Sequence, residues 1–457
     1  MTALRHDLVV RGALVLPDRL LERGWLAIDG ETIAAIGTGD APASVSVEDF
    51  GRALVFPGLV DGQTHATSYK GLEGFTATSR AAVAGGVTTL VDMPYDNPDP
   101  LNTLERLQAK VAAVARHSLA DVALYATVAP GQGVGEMARI AKAGVCAFKI
   151  SSFESHPVRF PRLPADEIRA ILEASVETGL PVGLHNEDQE IVLAAIAALK
   201  RAGRTAPEFH EPSRPLAAEL AATAHFLELG RATGAHAHIV HISHPRGYQL
   251  VSRAREEGAR ATAEICVHYL HFDNARDIAR LGARMKVSPP IRDGVVGALW
   301  SQLDRGAVEF VSSDHSSWPV DNKLTPSIFD AGAGVPGLET LGPSFFTDLS
   351  KRTDRPERAF HGFLCEAPAR FFGLWPRKGA LAPGADADIA VFERGDWRFD
   401  ARRTHDDLNW SPYDGETFSV RATATFVRGT KVWDGQRVLA SPGHGRYVPR
   451  APGGLAP

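Results

Sequence analysis

Short apolar runs alternate with amphipathic stretches along most of this chain, and that alternation predicts its architecture. Before Leu54 the text is that of short strands and turns: LVVRGALVL after Asp7, WLAIDG from Trp25 to Gly30 and TIAAIG from Thr32 to Gly37, with glycines marking the turns. From Leu54 onward, strand-length apolar runs are separated by helical segments. Eight runs stand out: LVFPGLVD leading to His65, GVTTLVDM ending at Met93, VALYATV at Val128, VCAFKI at Ile150, PVGLH at His185, HAHIVHIS at Ser243, ATAEICV at Val267 and VEFVSSDH at His315. Unbroken apolar runs of this length suit strands covered on both faces, as in a parallel sheet. Ala165–Thr178 is the clearest helix between them. Pro164 precedes it, Asp166 and Glu167 suit its positive end, and Gly179 can close it. Ile168, Ile171, Leu172 and Val176 recur at helical spacing and predict its buried face.

Strand and helix alternating eight times predict an α/β fold, a (β/α)8 TIM barrel over residues 56–378. After Gly379 strand text returns, as ADIAVFE and TATFVRGTKVWDG. Segments 1–55 and 379–457 are therefore expected to form one small β-domain together. The stretch from Ser441, rich in Pro and Gly, predicts no regular element.

Composition adds limits. The chain's 457 residues exceed the about 250 of a bare barrel and leave room for that companion domain. Hydrophobic residues at 44% and charged residues at 23% are ordinary for a globular protein. A net charge of -5 without a basic patch argues against nucleic acid as a partner. No apolar run approaches the roughly 20 residues that span a bilayer, and the start, MTALRHDLVVRG, lacks a signal-peptide pattern. Cys146, Cys266 and Cys365 show neither even pairing nor metal spacing, which points to a reduced, cytoplasmic setting. Cys146 and Cys266 read as small buried hydrophobes.

Barrel enzymes place their chemistry at the C-terminal ends of the strands. The ionisable residues found there are His65, Lys149, His185, His241 and Asp314, closing the first, fourth, fifth, sixth and eighth runs. Three imidazoles and a carboxylate suit a zinc-type site. Lys149 fits such a set once its charge is removed, for instance by carbamylation with carbon dioxide, which gives an anion able to bridge two metals. The other histidines read differently. His236 and His238 are expected to pack against helices or bind backbone, and His268 and His271 to be structural. His244 and His315 lie just past the barrel mouth, within reach of substrate or water. Tyr69 and Lys70 fall in the loop after the first strand, where a gate could sit.

These motifs resemble the amidohydrolase superfamily, in its cyclic amidase branch of hydantoinases, dihydropyrimidinases, allantoinases and dihydroorotases. Pro57-Gly58-Leu59-Val60-Asp61 with Thr64-His65 resembles the strand-one signature. Phe148-Lys149 resembles the carbamylated lysine, GLHNED with His185 and HIS with His241 the next metal ligands, and SSDHSSW with Asp314 the catalytic aspartate. GGVTTLVDMP, KVSPPIR and KGALAPGADADIAVFE are similar to family text, so the resemblance covers nearly the whole chain. It implies a TIM barrel with a small β-sandwich built by both termini. It also implies a small cyclic amide as substrate, one or two divalent metal ions (zinc first, manganese or iron next) and a homotetramer or dimer. In the implied mechanism metal-bound hydroxide attacks the ring carbonyl, while Asp314 serves as general base and then acid.

The chain departs from the family pattern at four positions. Gln63 replaces the first histidine of the strand-one pair, a neutral and weaker ligand for the metal that His65 and Asp314 would share. Thr67 stands where dihydroorotases carry an arginine, which disfavours that activity. Glu154 stands where hydantoinases and dihydropyrimidinases carry an oxyanion-donating tyrosine. Ser288 replaces the asparagine before Pro-Pro whose backbone contacts substrate, a contact that a serine backbone can also make. A non-catalytic binding relative with an impaired metal site is the alternative these changes leave open.

Overall fold

The computed structural model describes residues 5–451. A seven-stranded sheet takes His6–Val15, Leu20–Asp29, Thr32–Thr38 and Ser44–Pro57 from the start of the chain. It takes Ile389–Arg398, Thr417–Val427 and Thr430–Trp433 from the end. The two sets join where Ser44–Pro57 pairs antiparallel with Ile389–Arg398 and parallel with His6–Val15. One face buries Val10, Leu26, Ile28, Val55, Ile389 and Phe426 in a core of its own. The other lays Val15, Leu54, Phe56 and Phe392 on the barrel, with Phe56 and Phe360 rings 4.6 Å apart. The sheet's ends curl together: at Gly429, whose φ is +76°, a Cβ would lie 2.6 Å from the Gly30 carbonyl oxygen. Glycine is required there on both counts.

The barrel strands are Leu59–His65, Val87–Asp92, Asp121–Ala126, Ala147–Ser151, Val182–His185, Ala237–Ile239 and Ala261–Ala263, all in parallel order. Closure falls to short pairings. Ile265–Cys266, resuming after Glu264, pairs with Val311–Ser312, and His315–Ser316 pairs with Thr64 and His65. All eight apolar runs thus enter the barrel, as expected of a (β/α)8 fold. The first run is split, however. Leu54–Pro57 ends a strand of the outer sheet, and the barrel begins at Leu59. Gly58 makes the pivot, its N–H donating to the Asp388 carbonyl at 2.8 Å. A Cβ on Gly58 would sit 2.1 Å from Thr88 Oγ1. One unbroken apolar run therefore serves two sheets, which its periodicity does not reveal.

The helix Ala165–Thr178 has the expected bounds, and Gly179 ends it at φ 68°. Its buried face is Ile168, Ile171, Leu172 and Ser175, whereas Val176 is 47% exposed. Ser175 can be buried because its hydroxyl donates to the Leu172 carbonyl at 2.7 Å. The tail from Ser441 is irregular, as its composition predicts, yet it is held by backbone bonds. Gly443 and Gly445 donate to Ser118, and Val122 donates to Arg446. Among the described residues no helix is long and apolar enough to cross a membrane.

At that N-terminal end of the barrel Asp121, Asp386 and Asp388 lie close enough to suggest a metal site. The centre is already taken by a cation. Lys378 Nζ is 2.5, 2.9 and 2.7 Å from the three carboxylates. Arg428 pairs with Asp121 as well. This cluster joins the barrel to the outer sheet; it is not a metal centre.

Candidate active site

At the opposite, C-terminal end the strands deliver their polar residues to one mouth. Gln63 Nε2 donates to Asp314 Oδ1 at 2.9 Å, and His65 Nε2 lies 3.4 Å from the same oxygen. His185 Nδ1 and His241 Nε2 face each other at 3.1 Å. Lys149 is buried, and its charge acts on Asp314 as well as on His185 and His241. Gln63, His65 and Asp314 thus form one cluster and His185 with His241 another, and the Lys149 charge acts on both. Gln63, Lys149, His185, His241 and Asp314 are buried, while His65 opens toward solvent.

Two of these positions are held in strained backbone. His241 has φ 42° and Asp314 has φ 48°, a region that side-chain-bearing residues rarely adopt. Asp61 fixes the second of them. Its carboxylate accepts from Ser313 N at 2.7 Å and from Ser313 Oγ at 2.6 Å. Burial raises the Asp61 carboxyl to about 6, against the opposing pull of the Ser313 and Thr64 hydrogen bonds.

A buried ionic chain fixes the two paired imidazoles. His185 Nε2 faces Glu187 Oε2 at 2.9 Å, and Arg214 pairs with that carboxylate from the other side. Glu187 therefore orients His185 and leaves Nδ1 as the nitrogen aimed at His241. Beyond it, Arg292 donates to the Arg214 carbonyl at 2.6 Å and to Glu219 at 2.9 Å. Glu219 accepts from Ser243 N at 2.9 Å, two residues past His241. Glu187 lies in GLHNED and Arg292 in KVSPPIR, so charges set in strand-end text were the available signal. Their partners, Arg214 and Glu219, carry no such mark.

The protonation states suit metal binding. Burial lowers the His185 and His241 imidazoles below their ordinary range, with the Lys149 charge adding to it. They are therefore neutral near pH 7 and offer lone pairs. Burial also lowers Lys149, although Asp314 and Glu264 pull the other way. Burial tends to raise the Asp314 carboxyl, but hydrogen bonding to His65 and the charge of Lys149 hold it below its ordinary value. Orphaned atoms complete the fit to a divalent ion. Gln63 Oε1, His65 Nδ1 and His241 Nδ1 are buried without partners. Imidazole, carboxylate and amide oxygen are donors that zinc, manganese and iron accept.

Ser288 stands at the peptide before Pro289, with its hydroxyl buried and unpartnered. The Pro289 carbonyl accepts from Tyr269 Oη at 2.6 Å. His236 and His238 pack on a helix as expected, their rings 5.6 and 4.6 Å from that of Phe371 at the end of the helix Ala367–Phe371. Both bond the Thr262 hydroxyl at 2.9 Å, and His238 stacks on Phe310 at 5.7 Å. His271 is structural in that its Nδ1 bonds Asp348 at 2.7 Å. Tyr69 meets Trp318 at 5.7 Å, and Lys70 pairs with Asp407 at 3.8 Å. Tyr95, which the sequence reading passed over, stands edge-on to His65 at 5.8 Å.

Fold and site together define a TIM barrel that carries imidazole, carboxylate, amide and lysine side chains at its C-terminal mouth. The chain belongs to the amidohydrolase family, whose sequence profile matches residues 54–432. It is 32% identical over 455 residues to the L-hydantoinase of Paenarthrobacter aurescens, covering 97% of this chain and 98% of that one. It is 34% identical over 446 residues to an allantoinase of Rubrobacter xylanophilus, covering 97% of each. The solved structure of the L-hydantoinase (dihydropyrimidinase) from Arthrobacter aurescens superposes with TM-score 0.91 at 30% identity, over 97% of this chain and all of that one.

Proposed function

We propose that the protein is a metal-dependent cyclic amidohydrolase that opens a ring of the hydantoin, allantoin or dihydropyrimidine type. Its catalytic domain spans 56–378, and its β-sandwich domain spans 1–55 plus 379–457. The observation that carries the reading is the 3.1 Å pair His185–His241, oriented by Glu187, with the Lys149 charge acting on both and on Asp314. The likeness to hydantoinases and allantoinases over nearly the full length supports the substrate class.

His65, His185, His241, Asp314 and a carbamylated Lys149 would hold one or two divalent ions, with Gln63 as the weakest donor. Zinc is the first choice, manganese and iron the next. Such an ion supplies Lewis acidity, easing proton loss from water and polarising the ring carbonyl. The residues do the rest. Burial shifts Lys149 toward its uncharged form, and an uncharged amine is the form that adds to carbon dioxide, losing a proton as the carbamate forms. Asp314, ionised at neutral pH, accepts the proton of the attacking water. As the ring C–N bond breaks, the same carboxyl hands that proton to the departing nitrogen. Ser288 contributes backbone contacts to the ring.

Gln63 gives the competing reading its one support. An amide that donates to Asp314 occupies the carboxylate which catalysis needs free, as in a non-catalytic relative. Elemental analysis of protein purified without added metal separates the two. One or two ions per protomer are expected, together with ring-opened carbamoyl product from a hydantoin panel. Absence of metal, persisting after reconstitution with bicarbonate, would sink the enzyme reading.

Two further parts belong to the proposal. A reduced cytoplasmic setting agrees with Cys146, Cys266 and Cys365, all buried and unpaired. A homotetramer or dimer agrees with the helix Gln189–Arg201, where Val192 alone is fully buried, while Leu193 is 50% exposed and Ala194 and Ala198 are exposed. An apolar face of this kind marks an interface. Light scattering on Leu193→Glu is expected to show smaller assemblies than the unmodified protein; an unchanged mass would remove this helix from the interface.

A further inference from the structure

The loop after the fourth barrel strand folds back over the site. Ser155, His156 and Phe160 close it with backbone hydrogen bonds of 3.1 and 3.2 Å. The Phe160 ring lies 5.8 Å from Lys149 Nζ and 5.5 Å from the ring of Tyr95. Tyr95 in turn abuts His65. Arg159, beside Phe160, spreads over Tyr95 with its guanidinium carbon 4.8 Å from the ring centre. Its Nη1 donates to the Ser68 carbonyl at 2.5 Å. The cation is thus anchored between the loop that follows His65 and the ring that lines it.

That anchoring leaves the guanidinium incomplete. Arg159 Nε is buried and has no acceptor. Among the described residues no carboxylate comes within the 4.0 Å of an ion pair. Arg162, in the same loop, differs: it pairs with Glu190 at 2.6 Å. The loop after the first strand has no free cation to offer an anion. Thr67 is buried and bonded to Asp96, and Lys70 pairs with Asp407. A half-buried guanidinium with a missing acceptor and no counter-ion, next to the ring that touches His65, is a receptor for an anion entering the mouth.

We propose that Arg159 recognises an exocyclic carboxylate on the substrate, so that the preferred substrate is an anionic cyclic amide; this rests on the ring-opening function above. Arg159 is a specificity residue and takes no part in bond cleavage. The loop places it on the side of the site lined by His65 and Tyr95, where a ring substituent would project.

The test compares two hydantoins that differ in charge alone at the 5-position, carboxymethyl and carbamoylmethyl. The metal-loaded enzyme is expected to show higher kcat/KM on the anion. Arg159→Met is expected to lower that value about 10- to 100-fold, the size of a lost hydrogen bond to a charged group, while changing the neutral compound less than about threefold. Arg159→Lys, which keeps the charge without the fork, should recover part of the loss. No preference in the unmodified enzyme, or equal losses on both compounds, would overturn the proposal and leave Arg159 as a brace for Tyr95. Calorimetric titration of Asp314→Asn protein with the same pair reads recognition without turnover. If neither ring is opened but anion binding still depends on Arg159, the ring-opening reading fails and the anion site stands.

Discussion

Replacing Asp314 by asparagine is expected to lower kcat on a cyclic amide by at least about 10³-fold while leaving the melting temperature nearly unchanged. The fold should tolerate the change because asparagine keeps an oxygen where Gln63 Nε2 donates and keeps the side chain's size. Chemistry should not tolerate it. The amide neither accepts the water proton nor returns it to the ring nitrogen, and it is a poorer metal donor. Burial alone would raise the carboxyl. The hydrogen bond to His65 and the charge of Lys149 instead hold it below 3.8, so it stays ionised from pH 5 to 9. No limb of the activity profile in that window should then report Asp314. A variant with unimpaired kcat would remove Asp314 from the reaction. A variant that also melts early would show a structural role.

The largest effect on stability is expected at Lys378. Lys378→Met leaves Asp121, Asp386 and Asp388 around an uncharged side chain, offset by Arg428 and the Arg446 N–H on Asp121, Arg377 on Asp386 and a backbone N–H on Asp388. Removing one partner from a buried ionic cluster costs about 3–5 kcal/mol. Burial opposes the Lys378 ammonium, but the three carboxylates outweigh it and raise the group above its ordinary 10.5. A raised lysine contributes its full stabilisation below the unfolded value and loses it only as pH climbs through the folded one. The deficit of the variant should therefore be the same at pH 6 and pH 9. Denaturant unfolding at both pH values measures it. A loss under about 1 kcal/mol would mean that the carboxylates rearrange onto Arg428 or take up protons.

What could be read in advance follows from how far apart the cooperating residues lie. Eight apolar runs betray eight strands because burial on both faces writes itself into consecutive positions. His65, His185, His241 and Asp314 stood out because a polar residue at the end of such a run breaks the pattern locally. Gly58 could not be recognised as a pivot: Leu54 to Val60 carries no polar side chain, and whether a strand joins one sheet or another leaves no periodicity. The chain from Glu187 through Arg214 and Arg292 to Glu219 was hidden for a different reason. Arg214 and Glu219 are ordinary charges in their own segments, and only the closed barrel shows that they are buried with Glu187 and Arg292. Lys378 stood in the text KGALAPGADADIAVFE beside two of its partners, Asp386 and Asp388, but nothing there pointed to Asp121, 257 residues earlier. His238 is a strand histidine on the helix side, as its position predicts: its ring lies 4.6 Å from that of Phe371, although its stacking on Phe310 left no mark in the sequence.

The sheet shared by the two termini sets a timetable for the growing chain. Ser44–Pro57 finds one of its neighbours, Ile389–Arg398, only after the whole barrel has left the ribosome. At about 5–20 residues per second that interval is on the order of tens of seconds. An open strand edge is a template for any other chain that offers one. Val45 and Val47 lie on this strand and remain 64% and 54% exposed even in the finished fold. During synthesis the beginning of the protein is thus an unfinished surface, vulnerable to its neighbours on the same messenger. Stalling or a stop before Ile389 would do more than trim the end: it would leave the first strands permanently searching for a mate.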